Sequence, residues 1–431
     1  FLQPSPTGGM PKAVAPPMAN QDLMALANIA GKGDSAFRMG SGLDALVLDK
    51  AHDLVVASND QALPIGPAGA ELDRTIWHKN SVDPTLQRML DVVHGDSLVV
   101  HDAATGAAVD GLSADSQRGQ QFLGDMFNHD YADGGRAVGG LFDNVEGQAV
   151  VHDPSSATEV ASAQRAGETA HAVAQRMGEK WHDLLNLNNA GDSLGQMNPK
   201  LTQSLSHAMS HYIPDMMGNR LEDTRGFGLL DDAKGVLDGH LPLAKGVLAV
   251  LNSDSTASDY INRAAQDYSV LWQRELADSI ANRPGDIDWQ DASTIGQVYG
   301  LRDSASLVQI NDDIQDQNQR DAESYRRRQT WVTGMGALVS PVPVVGGLSD
   351  GLTMALNGMF VGDGPTPTPF EQGVPRSSIP VQYSIAAELY RNGVGDTSYM
   401  SKFAGADGGL LSIDQALGTD RAGLQNGVQN Y

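Results

Sequence analysis

The sequence predicts an all-α protein, an elongated multi-helix body organised around a glycine-rich apolar hairpin near residues 330–362. Apolar residues recur at three- and four-residue spacing through most of the chain. Helix-start signals such as Asp83-Pro84 and Asn198-Pro199 precede several of these runs. Strand-length runs are missing, since Val99-Val100 and Val150-Val151 suffice only for a small ribbon.

The hairpin is the one segment that departs from the polar character of the chain. From Gln329 to Ser349 there is no charged side chain, and Pro341 and Pro343 in its middle divide it into two short arms. Glycines such as Gly336, Gly346 and Gly347 leave its surface nearly ridge-free, so neighbouring helices can pack closely. The flanking Arg326, Arg327 and Arg328 also allow Trp331–Phe360 to be read as a membrane-contacting segment, the basis of a pore-forming or translocating alternative. Arms of about 12–15 residues give only ~20 Å of helix against a ~30 Å hydrocarbon core, which favours a buried hairpin.

In chain order, residues 1–18 are rich in proline and glycine and read as a linker. With no initiator Met, the chain is expected to be a processed or truncated product, with a segment before Phe1. The helical body is expected over 19–362, as two subdomains dividing near 145–155. Asn20 opens a short helix ending at Gly31, and Leu43, Leu46, Val47, Leu54 and Val55 mark a longer amphipathic one. Asp83 should cap a helix carrying Leu86, Met89, Leu90 and Val93, which ends at Gly95. Phe122 to Phe127 and Ala137 to Phe142 form two short helices around an Asp130–Gly135 turn. From Ser155 to Leu185 an alanine-rich pattern runs unbroken by proline, so a long, closely packed helix is expected.

Asn198 should cap the next helix, with Leu201, Leu205, Ala208 and Met209 as its apolar face. Leu243 to Leu251 suits a compact helix, and Ser253 or Ser255 should cap a further one reaching Asn282 before Arg283-Pro284-Gly285. Residues 363–377 form a proline-rich loop, followed over 378–431 by a last helix and a loop-like tail.

The balance of 29 Lys+Arg against 53 Asp+Glu, a formal charge of −24, would repel phosphate backbones, so nucleic acid is not expected as a partner. No cysteine is present, which excludes disulfides and thiolate chemistry and leaves export open.

Chemistry-bearing motifs are sparse, and no cofactor is expected. His207 and His211 share a helical face at zinc-protease spacing, but Ala208 stands where the general base belongs. Gly347-Leu348-Ser349-Asp350-Gly351 matches a nucleophile elbow, yet no histidine follows His240 to complete a triad. His101-Asp102 and His152-Asp153 repeat a local string, read as loops, and are the acid–base candidates for a hydrolase-type alternative.

Several segments read together carry a resemblance. Asn128-His129-Asp130, Arg165-Ala166-Gly167-Glu168-Thr169-Ala170-His171, Met197-Asn198-Pro199, Thr224-Arg225-Gly226-Phe227 and the hairpin Ala337–Gly347 resemble a family of large actinobacterial, chiefly mycobacterial, proteins described as containing a TPR repeat region. The resemblance covers most of residues 35–362. It implies a helical protein whose longer relatives carry an N-terminal WXG-type hairpin, the kind associated with type VII secretion. It also implies protein partners and an exported or envelope-associated location, and it assigns no catalytic residue.

Overall fold

A computed structural model describes residues 17–33, 39–59, 82–107, 115–187, 191–219, 224–232 and 241–282, with Ala387, Tyr390, Arg391, Phe403, Leu410 and Leu411. The fold is all-α, as the periodicity predicts. The hairpin 329–362, residues 1–16 of the expected 1–18 linker, the loop 363–377 and most of the C-terminal stretch lie outside the described residues, whereas Pro17 and Met18, expected in the linker, are helical. The chain divides into two compact units, Phe1–Asn262 and Arg263–Tyr431.

In the first unit, α1 (Pro17–Ala30), α2 (Gly42–Asn59) and α3 (Asp83–Val93) pack mutually. Helices α4 (Ser97–Thr105) and α5 (Ser116–Phe127) follow, each opened by an aspartate. Asp96 accepts from Leu98 and Val99 N–H, and Asp115 from Gln117 N–H, which satisfies donors the first turn would otherwise leave open. The chain then turns through α6 (Arg136–Gly139), a 3₁₀ turn (Gly140–Phe142) and α7 (Asp143–Gln148).

The alanine-rich stretch forms α8 (Ala157–Glu179), capped by Ser156, with the short α9 (Trp181–Leu184) split from it at Lys180. Small residues on α8 are used for close approach. A Cβ on Gly167 would fall 1.8 Å from the Arg225 carbonyl oxygen, so the 224–228 segment lies directly on the helix backbone. Next come α10 (Leu194–Met197), α11 (Pro199–Ser210), α12 (Ile213–Met216) and α13 (Pro242–Leu251). The core between them holds Leu86, Met89, Leu123 and Leu201, with Phe127 edge-on to Phe142 and Tyr212 stacked on Phe227. Val150 and Thr224 form one antiparallel bridge.

The last described helix, α14 (Ser255–Asn282), contains the boundary between the units. Its cap is Asp254, which accepts from Thr256 and Ala257 N–H, rather than either neighbouring serine. In the second unit Tyr268 stacks on Trp272, and Leu411 N–H donates to Phe403 O.

Two expected caps are used differently. Asp83 sits inside the first turn of α3, with Val82 at the cap position and no side-chain cap bond. Its carboxylate faces Ala132 N–H at 3.2 Å and His129 Nε2 at 3.4 Å. Asn198 occupies the cap position of α11 without capping it. Its Oδ1 accepts from Tyr131 N–H at 3.1 Å and its Nδ2 donates to His129 O at 2.7 Å, fully buried. Both side chains turn into the 128–135 loop, where the buried Tyr131 N–H and His129 carbonyl in particular need partners within the protein.

Candidate functional site

The 128–135 loop also sets the start of α6. Asp133 accepts from Gly135, Arg136 and Ala137 N–H, while Gly134 O accepts from Lys200 N–H at 2.8 Å. Gly135, at φ 79°, brings this backbone against Leu201. The segment 136–148 and α11 therefore run side by side in the same direction, with Gly139 against Ser204 and Glu146 against His207.

Between them and the end of α3 lies an open cleft of about 450 Å³. One wall is a polar stripe of α11, Lys200, Gln203, Ser204 and His207, at i, i+3, i+4 and i+7. The opposite wall carries Arg136, Gly140, Asp143 and Glu146, and the third Asp91 and His94. This stripe is the complement of the buried Leu201, Leu205, Ala208 and Met209. Nine of the eleven lining residues carry polar or charged side chains, Ala137 and Gly140 being the exceptions.

Its charges are unequally matched. Glu146 is held twice, by His207 Nδ1 at 3.2 Å and by the Tyr260 hydroxyl, and the His207 and Tyr260 rings stack at 3.7 Å. Partial desolvation and then the Glu146 carboxylate raise the Tyr260 hydroxyl above its ordinary range, so it stays the donor. Arg136 meets Asp91 at 3.4 Å but is 60% exposed, and Lys200 Nζ donates to Gln203 Oε1 at 3.0 Å. Partial desolvation at the cleft wall raises the Asp143 carboxyl above its ordinary value, although the residue is exposed. The Ser204 hydroxyl and the facing His94 and His207 oppose that rise, and Glu146 adds to it.

The acid–base candidates from the sequence are placed otherwise. His101 and Asp102 lie on α4 and not in a loop. His101 is clamped between carboxylates, Asp102 Oδ1 at 2.8 Å and Glu168 Oε2 at 2.9 Å, which ties α4 to α8. His152 and Asp153 are exposed before α8. The His152 backbone N–H is held by Glu159, and Asp153 accepts from the Ser155 N–H and hydroxyl, which lower its carboxyl. Glu159 and Glu168 are nine residues apart on α8. At ~1.5 Å per residue the two strings are thus anchored about 13 Å apart.

His207 turns to Glu146 and Tyr260, and His211 is the C-terminal cap residue of α11. Among the described residues no group of three or more His, Asp or Glu side chains is arranged to hold a metal. Sequence reasoning singled out His207 but missed Asp143, Arg136, Ser204 and Lys200 around it. The usable signal was the polar stripe opposite the apolar face of α11.

No described helix is long and apolar enough to cross a membrane. No curated protein and no solved structure matches the chain. The family model of a TPR repeat domain matches residues 3–144, which takes in α1 to α6, the 3₁₀ turn and six of the eleven residues that line the cleft.

Proposed function

We propose that this chain is a non-enzymatic interaction scaffold that holds protein partners on its helical surface, serving the cell envelope or secretome of a mycobacterium-like host in connection with type VII secretion. The observation that carries it is the TPR repeat match over residues 3–144, on a part of the chain that folds as packed helices. Repeats of this kind present extended surfaces to partners, and TPR repeats typically mediate protein–protein contacts. The formal charge of −24 favours a basic partner surface and fast, salt-sensitive association. The separate anchoring of His101 and His152, and the double use of Glu146 by His207 and Tyr260, support structural over catalytic roles for these histidines. The envelope and secretion part rests on the sequence resemblance.

The test is crosslinking in an actinobacterial host, followed by reconstitution of each crosslinked partner with the purified chain. A stoichiometric complex that weakens as salt is raised supports the scaffold. Substrate turnover that disappears on changing His207 or Asp143 would replace it with an enzyme. Recovery in the cytosolic fraction alone, unchanged when type VII secretion is disabled, would remove the exported half.

A further inference from the structure

The cleft beside α11 is built for something smaller than a protein surface. Its volume of about 450 Å³ falls within the range of small-molecule sites, ~300–1,000 Å³. Most such sites carry only a few polar groups among apolar side chains, whereas nine of the eleven residues here are polar or charged, which suits a ligand that is itself polar.

The unmatched groups say which polar chemistry fits. Glu146 already has two partners and is not available. Lys200 spends one of three donors on neutral Gln203, and the five-donor fork of Arg136 reaches Asp91 at 3.4 Å and Asp133 only at 3.9 Å, which leaves donors on both cations for a ligand. Both cations stand at the start of the cleft, where α6 and α11 begin. Farther along the same walls stands Asp143, exposed to the cleft, with the Ser204 hydroxyl as a neutral partner. A simple anion would be drawn to the cations and repelled by Asp143. A simple cation would meet the reverse, and a metal finds no three-ligand group among the described residues.

We propose that this cleft binds a zwitterion of dipeptide size, its carboxylate on Arg136 and Lys200 and its amino group on Asp143. The spacing selects the length. Lys200 to Ser204, the partner of Asp143, is four residues on α11, or about 6 Å at 1.5 Å per residue. Two extended residues span about 7 Å, a free amino acid only half of that, and three residues overshoot at about 10 Å. The inference concerns a small ligand and does not depend on the scaffold reading.

Titration calorimetry on the full chain at pH 7 and low salt tests it with L-alanyl-L-alanine, its N-acetyl and C-amide derivatives, and free L-alanine. The free dipeptide is expected to saturate the site at 1:1. Each blocked form and L-alanine should bind about tenfold or more weakly, because each loses a charge-assisted contact. Asp143→Asn should remove the penalty for N-acetylation and leave that for C-amidation. Lys200→Met, at an exposed position, should do the reverse, and circular dichroism checks that both variants fold. Absence of saturable binding up to ~10 mM overturns the proposal. So does equal binding of all blocked forms, and so does a C-amide that binds as well as the free acid, which would mark the cleft as a groove for an internal peptide segment.

Discussion

Replacing Asn198 separates two accounts of a helix start. An ordinary cap residue exchanged for alanine costs ~1 kcal/mol. Asn198 instead bridges Tyr131 N–H and His129 O in a site with no exposure. Asn198→Ala removes both bonds and leaves a buried donor and a buried acceptor unpaired, each worth ~1–3 kcal/mol, so about 3–4 kcal/mol is expected in total. Against a typical total of ~5–15 kcal/mol that is a large loss. Asn198→Asp sharpens the test, since it still accepts from Tyr131 but sets a carboxylate against the His129 carbonyl. Its deficit relative to wild type should match or exceed that of the alanine variant at pH 7. It should shrink as pH falls toward about 5, where a protonated carboxyl can donate. Urea titrations read by hydrogen exchange of α11 peptides report the first unit separately from the second. A cost near 1 kcal/mol for alanine, or no pH dependence for aspartate, would refute the bridge and restore the cap.

Gly167→Ala should cost about 2–3 kcal/mol by forcing the Arg225 carbonyl off α8, whereas Gly147→Ala, with nothing within 4 Å of the added Cβ, should be neutral or stabilising. Differential scanning calorimetry of the two variants distinguishes them by the sign of the shift. His171 faces Phe227, and burial lowers it below the ordinary imidazole range against one backbone hydrogen bond. Its unfolded form therefore takes up a proton that the folded form refuses. That contribution to stability is intact above about pH 6.5 and is lost as pH falls below it. His171→Gln should flatten the stability profile between pH 7 and 5.5, and an unchanged slope in urea titrations would assign the acid sensitivity elsewhere.

Much of the fold was legible because helix periodicity survives in a single sequence. The alanine-rich pattern from Ser155 to Leu185 became α8 with α9 behind it, and Leu243 to Leu251 became α13 nearly residue for residue. Cap chemistry was less legible. Residue type marks where a helix begins, but it does not reveal whether a buried loop competes for the same side chain, as the 128–135 loop does for Asp83 and Asn198. Val99-Val100-His101-Asp102 looked like a loop because two β-branched residues before a His-Asp pair lack helical signal, yet Asp96 in front of them supplies the cap that makes α4. The cleft was legible only in part, since its walls come from segments around 91, 140 and 204 that only the folded chain brings together.

The repeat match stops at residue 144, but the packing does not. Helix α8 begins at Ala157 and lies against α4, α5 and α7 on one side and α13 on the other. Glu168 on α8 holds His101 of α4, Ala172 O accepts from Gln120 of α5, and the Arg176 guanidinium fills the space over Gly124. A fragment ending at residue 156 loses all of these and exposes whatever apolar surface α4 and α5 bury against α8. At ~1.5–3 kcal/mol for each large side chain uncovered, two or three such losses approach the whole stability of a typical domain. The fragment 17–156 should accordingly keep helical circular dichroism, bind a hydrophobic dye and unfold without a sharp transition. The fragment 17–262 should refuse the dye and melt cooperatively. If 17–156 alone melts sharply and leaves the dye unbound, the matched region is a self-sufficient domain, and α8 is an addition to it instead of its second half.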